Sequence, residues 1–159
     1  MSHEFKIRQM QIDDLQQVYH MQTTGFTENL WESIDVFKQI LIDHPEGGFV
    51  AEVEARIVAY ILSQPADETR DDFDTGHWEI RGDEECLYLH DLCLSPEARG
   101  AGVAQSLIAR LEKHAHKKFK KIIGISVQGT QEFWSKKGFI MQHEYGYLDQ
   151  QGTFMMKSL

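Results

Sequence analysis

Positive charge is in short supply in this chain: 16 Lys and Arg face 25 Asp and Glu, for a formal net charge of −9. That balance argues against general affinity for nucleic acid. Cysteine is scarcer still. Cys86 and Cys93, the 2 cysteines of the chain, stand in or beside one apolar run, too far apart along an extended strand to be bridged. They read as reduced, buried thiols, which suits a reducing compartment. No apolar stretch approaches the length of a membrane span, and Met1 to Arg8 lacks the apolar core of a signal peptide. Cytoplasmic residence with no membrane or nucleic-acid partner is therefore expected. Repeats, low-complexity tracts and linkers are absent, so residues 1–159 are expected to form a single domain, as a monomer or homodimer. A P-loop Gly-Lys-Ser/Thr is missing, as is the longer glycine pattern of a Rossmann site. His3, His20, His44, His77, His114, His116 and His143 show no ligand-like spacing; His114 and His116, two apart on a predicted helix, do not share a face. No metal is expected.

What remains is an ordinary globular composition, 42% hydrophobic and 26% charged. Phe5 to Arg8 reads as a first strand, and Asp13 as the cap of a helix with Leu15, Val18, Tyr19 and Met21 inward. A second helix is predicted from Ser33 to Pro45, with Val36, Phe37, Ile40 and Leu41 on its inner face. Gly48 to Val53 and Ile57 to Ser63 form a predicted hairpin around Glu54-Ala55. Leu87 to Leu94 is a strand, Ala101 to Lys117 an amphipathic helix, and Lys121 to Val127 a buried strand. A short helix, Gln131 to Lys137, stops at Gly138. Phe139 to Tyr145 and Thr153 to Lys157 close the chain around a turn at Asp149-Gln-Gln-Gly152. This order predicts an α/β protein with a mixed sheet and helices on it.

The segment from Pro65 to Glu85 holds nine acids against Arg70 and Arg81, and so carries most of the chain's excess charge. Two readings stay open here: a solvated loop that keeps the protein soluble, or an acidic rim that attracts a cationic substrate.

The stretch from Leu87 to Ala104 says most about function. An apolar strand ends at Ser95-Pro96, a glycine-containing turn follows, and a helix begins at once. The first amides of a helix have no intrahelical partners and carry the positive end of its dipole. Gly100 and Gly102 have no side chain to keep a phosphate away, and Arg99 adds a fixed positive charge.

Two motifs carry a resemblance. Arg99-Gly-Ala-Gly102-Val-Ala104 fits a signature of Arg or Gln, two residues, Gly, one residue, then Gly or Ala. Phe133-Trp134-Ser-Lys136-Lys-Gly138-Phe139 fits a second, aromatic-aromatic-x-Lys-x-Gly-Phe, downstream of it. In these the chain resembles the GCN5-related N-acetyltransferase (GNAT) superfamily, from the first strand to Leu159. The resemblance implies a mostly antiparallel sheet of about seven strands, splayed between the fourth and fifth and flanked by four helices, with a bulge in the fourth strand. It implies acetyl-CoA as co-substrate. Arg99, Gly100, Ala101, Gly102, Val103, Ala104 and Gln105 would hold the pyrophosphate through backbone amides. The pantetheine arm would pair with Leu92, Cys93 and Leu94 like a substitute strand, and an amide there would stabilise the oxyanion.

Acetyl transfer to an amine needs a base, because free alkylamines are mostly protonated near neutral pH. His90 stands on the fourth strand, and its ordinary pKa suits that task. This stretch looks like the arylalkylamine branch, in which a histidine at this position serves in proton removal. The alternative is a structural histidine bonded within the sheet. Tyr88 shares its face two residues earlier and could extend a water relay. Trp134 departs from the tyrosine that many relatives use to protonate the leaving thiolate. An indole donates a hydrogen bond but is no acid, so Trp134 is expected against the pantetheine or in the core. Val127 replaces a cofactor-bonding asparagine of many relatives, for which Gln128 could compensate.

Acceptor selection is expected from the loop after the first helix, which holds Phe26, Glu28, Asn29, Leu30, Trp31 and Glu32. Aromatics beside carboxylates suit an amine on an apolar body; Trp31 reads equally as a core anchor. The function expected is N-acetyl transfer to a small primary amine, an aryl- or polyalkylamine, in a ternary complex. The alternatives are a peptide N-terminus or lysine as acceptor, and a non-catalytic acyl-CoA-binding regulator.

Overall fold

The computed structural model describes residues 4–148 and 150–159. Seven strands make one sheet in the order β1-β2-β3-β4-β5-β7-β6. They are β1 (Lys6–Gln9), β2 (Gly48–Val53), β3 (Arg56–Ala66), β4 (Cys86–Leu94), β5 (Lys121–Ser126), β6 (Ile140–Tyr147) and β7 (Gln150–Ser158). Every neighbouring pair is antiparallel except β4 with β5, which the crossover helix makes parallel. The four helices are α1 (Leu15–Gly25), α2 (Ile34–Asp43), α3 (Val103–Ala115) and α4 (Gln131–Lys136). None among the described residues is long and apolar enough to cross a membrane.

The centre of the sheet is buried on both faces, which is why β3 reads as a nearly continuous apolar run. Leu107, Ile108 and Leu111 of α3 cover one face over Ile61, Leu87 and Leu89. On the other face Val18 of α1 and Phe37, Ile40 and Leu41 of α2 meet Val50, Tyr60 and Leu62. Ser33 caps α2 by accepting a hydrogen bond from the Val36 amide, as its position predicts.

Four local expectations are corrected. Asp13 does not cap α1. The cap position belongs to Asp14, whose carboxylate is taken by both terminal nitrogens of Arg8 at 2.8 Å. The third helix begins at Val103 rather than Ala101, because Gly100 and Gly102 hold left-handed φ values of 80° and 79° in the turn before it. The last hairpin turns earlier than expected: Tyr147 pairs with Gln150, which puts Gln151 and Gly152 inside β7. Gly152 marks a close approach rather than a turn, since a Cβ there would stand 2.6 Å from Ile125 Cγ2. Asp149 lies outside the described residues.

The acidic segment is the fourth. It is more than a solvated loop: most of its acids face solvent, while Phe73 and Trp78 anchor it in a third apolar cluster with Ala66, Tyr88 and Phe154. Phe73 stacks on Tyr88 with ring centroids 4.7 Å apart. The segment's charges are partly neutralised on the spot, Arg81 by Asp67 and Asp83, and Arg70 by Asp72.

Candidate active site

β4 and β5 pair only from Cys86 with Lys121 to Leu89 with Gly124. Beyond that point β5 continues toward β7 while Leu92, Cys93 and Leu94 stay paired to β3 alone. The cause of the divergence is visible in the β3–β4 register. Leu62 faces Asp91 and Ser63 faces Leu89, so His90 is an extra, bulged residue. A bulge bends its strand and re-aims the side chain it carries. The inner edge of β4 is thus left with backbone amides and carbonyls that need a partner.

A cleft of about 690 Å³ runs along this edge. That size lies within the usual range of small-molecule sites. Its walls include Leu92, Cys93, Leu94, Arg99, Gly100, Gly102, Val103, Ala104, Gln105, Gln128 and Trp134. Of the residues expected at the cofactor, Ala101 stands outside this wall. At one end of the cleft a Cβ added to Gly100 or Gly102 would meet nothing within 4 Å, so the turn opens onto free space in front of α3. Two cations flank it. Arg99 is exposed, and Lys137, which sequence reasoning missed, donates to Gln105 Oε1 at 2.9 Å. An unpaired strand edge leading to amides and two cations fits an amide-bearing arm that ends in phosphates.

Gln128 and Trp134 differ from one another in what they do. The Gln128 amide donates across the cleft to Thr27 Oγ1 at 3.0 Å and so ties the loop after α1 to the loop after β5. It is therefore engaged with protein rather than pointing freely at a cofactor. Trp134 is 8% exposed, part of the main core, and meets Phe139 edge-on at 5.3 Å.

Where the cleft reaches His90 it meets a second, smaller cavity of about 40 Å³, lined by Phe26, Leu30, Glu32, Tyr88, His90, Asp91 and Tyr147 among others. Phe26, His90 and Asp91 border both spaces. Glu28 and Trp31 border neither space. Trp31 is 41% exposed and donates its indole N–H to the Phe26 carbonyl at 2.8 Å, so it is no core anchor. The loop carries its own short 3-10 turn over Glu28–Leu30, which turns Glu28 to solvent and delivers Glu32 inward instead.

The polar groups of the small cavity are coupled. The His90 side chain is 1% exposed, and its Nε2 lies 2.6 Å from Glu32 Oε1. Both ring nitrogens are buried without an aligned hydrogen bond, so this is a charge contact at close range. Burial opposes the charged ring, yet Glu32 and Asp91 outweigh it, and the His90 pKa lies above its ordinary value. Asp91 accepts from the Tyr60 hydroxyl at 2.6 Å, and burial lifts its pKa to about 6 against the pull of His90 and Tyr60. Tyr88 is corrected in part. It shares the face of His90, with ring centroids 6.1 Å apart, but it is buried in the stack with Phe73 and bonded to Tyr147. It forms a wall of the cavity rather than an open water relay. Burial pushes the Cys93 thiol up to about 12 and the Cys86 thiol to about 11, away from the thiolate form. Among the described residues no group of three or more His, Cys, Asp or Glu could hold a metal ion.

A model of the acetyltransferase (GNAT) family matches residues 12–139. The chain belongs to the GNAT acetyltransferase family. Among curated proteins it is similar to an uncharacterized N-acetyltransferase of Methanocaldococcus jannaschii, 23% identical over 137 residues. That match takes in 80% of the chain and 56% of the relative, so the chain spans about half the length of the curated relative. The fold is that of the loading GNATL domain of CurA from Lyngbya majuscula, with a TM-score of 0.86 at 15% identity over 98% of each chain. A GNAT-like decarboxylase, GphF, solved with isobutyryl-CoA, matches with a TM-score of 0.80 at 16% identity, over 96% of this chain and 98% of its own. For a member of this GNAT family, the seven-stranded sheet with its single parallel pair and the opening between β4 and β5 are the expected frame.

Proposed function

We propose that this chain transfers the acetyl group of acetyl-CoA to the primary amine of a small cationic or aromatic molecule. The thioester would lie along the free edge of Leu92–Leu94, with its phosphates at Arg99 and the Gly100–Gly102 turn. The amine would stand in the small cavity. The observation that carries this reading is the junction at His90 and Asp91, where the cleft and the small cavity share a wall. An acyl donor in one and an amine in the other are thereby held on either side of one titratable ring.

The amine nitrogen attacks the thioester carbonyl carbon, and His90 takes the proton that the nitrogen loses. The C–S bond then breaks, and the thiolate takes a proton from solvent. A thiol with a pKa of about 8.5 is a good enough leaving group that general-acid help adds little. This accounts for the tolerance of Trp134 where many relatives carry tyrosine. Direct transfer without an acyl-enzyme is supported by the two thiols, both held protonated by burial. A compact acceptor is supported by the small cavity, about 40 Å³ with Glu32 and Asp91 in its walls. Carboxylates beside aromatic rings favour an ammonium on a short apolar body, the acceptor of the arylalkylamine branch.

Free-thiol release from acetyl-CoA is the test, run against alkylamines, arylalkylamines, polyamines and peptides with free N-termini or lysines. Turnover is expected with at least one small amine and to exceed that with any peptide. Faster turnover of peptides would assign the acceptor to protein instead. Measurable CoA binding with no thiol release across the panel would make the protein a binding module.

A further inference from the structure

We propose that Glu32 is the positioning residue for His90, a counter-charge delivered by the acceptor loop that sets the pH at which the ring takes a proton. The inference rests on the functional reading above, and it concerns a residue 58 positions away from His90 in the chain. Its first support is the contact itself, 2.6 Å from Oε1 to Nε2, between a side chain 13% exposed and one 1% exposed. At that distance, away from water, an ion pair is screened little.

The second support is how firmly the loop is held. The Gln22 side chain, on α1 and itself 1% exposed, clamps Glu32 from both sides. Its Oε1 accepts from the Glu32 amide at 2.8 Å, and its Nε2 donates to the Glu32 carbonyl at 3.1 Å. A buried glutamine spent wholly on the backbone of one loop residue fixes where that residue's carboxylate stands.

The third support comes from the acidic segment. Gly76 has a left-handed φ of 82°, and a Cβ there would collide with the Glu32 carboxylate. The Gly76 carbonyl is fixed in turn by the Gln64 amide at 2.8 Å, from β3. Helix, sheet and acidic segment therefore converge on one carboxylate, and that carboxylate touches the ring. With Glu32 at Nε2, Nδ1 is the ring nitrogen with neither an ion-pair nor a hydrogen-bond partner among the described residues, and like Nε2 it is buried.

The groups that face the ring are few. They are Glu32 from the loop, Asp91 and Tyr88 on β4, Tyr147 on β6, and Tyr60 acting through Asp91. Of the carboxylates only Glu32 lies against the ring nitrogen, and Asp91 is engaged by Tyr60. Loss of Glu32 leaves a buried imidazole without its main counter-charge, so burial then dominates and the proton affinity falls.

The experiment follows His90 by NMR titration of its ring nitrogens in the wild type, Glu32→Gln and Glu32→Asp, alongside the pH profile of kcat/KM. In the wild type the ring is expected to titrate above 6.5, with the acid limb of the rate profile at the same place. Glu32→Gln should move both to lower pH by about one unit or more, with CoA affinity unchanged. Glu32→Asp should restore most of the shift. Gln22→Leu, which frees the loop but keeps the carboxylate, should move the titration in the same direction by less, and stands in should Glu32→Gln fail to fold. An unmoved His90 titration in Glu32→Gln overturns the proposal. The NMR arm needs no turnover, so an inactive wild type would refute the functional reading while leaving Glu32 testable.

Discussion

Replacing Asp91 by Asn should make the protein more stable near neutral pH and leave it unchanged in acid. The wild-type carboxyl is enclosed at the junction of the two cavities, where burial lifts its pKa from the ordinary 3.8 to about 6. The folded state therefore holds this proton more tightly than the unfolded chain does. Between pH 4 and 6 the unfolded chain ionises and the folded one resists, so stability falls as pH rises through that window and stays lower above it. Each pKa unit is worth about 1.4 kcal/mol, which puts the full loss at about 3 kcal/mol. Asn cannot ionise, and its carbonyl can still accept from the Tyr60 hydroxyl that now bonds Asp91 Oδ2 at 2.6 Å. Part of the gain is offset because the charge of Asp91 also supports protonated His90, so about 1–3 kcal/mol is expected at pH 7.5. For a domain of this length that is a rise in Tm of about 2–12 °C. Thermal and urea denaturation of both proteins from pH 4 to 8 reads it directly. A difference that fails to widen with pH, or an Asn variant that is the less stable one at pH 7.5, refutes the reasoning.

Other expectations are shorter. Gly102→Val would meet no steric obstacle, but its left-handed φ of 79° costs a β-branched residue about 1–2 kcal/mol. It would also cover the first amides of α3, so calorimetry should show weaker CoA binding; an unaltered Kd would remove the turn from phosphate recognition. Trp134→Ala empties a site in the main core and should cost about 3–5 kcal/mol by urea titration, and a loss below 1 kcal/mol would contradict that placement. His44 is buried against His114, with Nε2 atoms 2.9 Å apart, and burial lowers its pKa to about 4. The unfolded chain binds that proton near 6.5, so His44 makes the fold lose up to about 3 kcal/mol as pH falls from 6.5 through 4. His44→Gln should flatten this acid loss in a Tm series, and an unchanged slope would count against it.

The amino-acid sequence by itself determined the parts of the molecule whose causes are local. Apolar periodicity sets the helices and strands, and two glycines between an apolar strand and an amphipathic helix set the turn before α3. The resemblance carried by Arg99–Ala104 and Phe133–Phe139 pointed to the opening between β4 and β5 and to the bulge that the register places at His90. The motif residues that line the long cleft were legible for the same reason, since they are contiguous on one strand, one turn and one helix end.

Only the tertiary structure decided which distant groups meet. The loop after α1 offers Glu28, Trp31 and Glu32 alike, and nothing in their order says that a short 3-10 turn sends the first two outward and the third onto His90. The acidic segment reads as solvated because charge dominates its composition, and most of its acids do face water, yet Phe73 and Trp78 pin it against Tyr88. Gly152 reads as a turn glycine, whereas it makes room for the Ile125 side chain of a neighbouring strand. In all three cases the missing information is the same. Periodicity reports which face of an element is apolar, while the partner that covers that face is chosen by packing across long sequence separations.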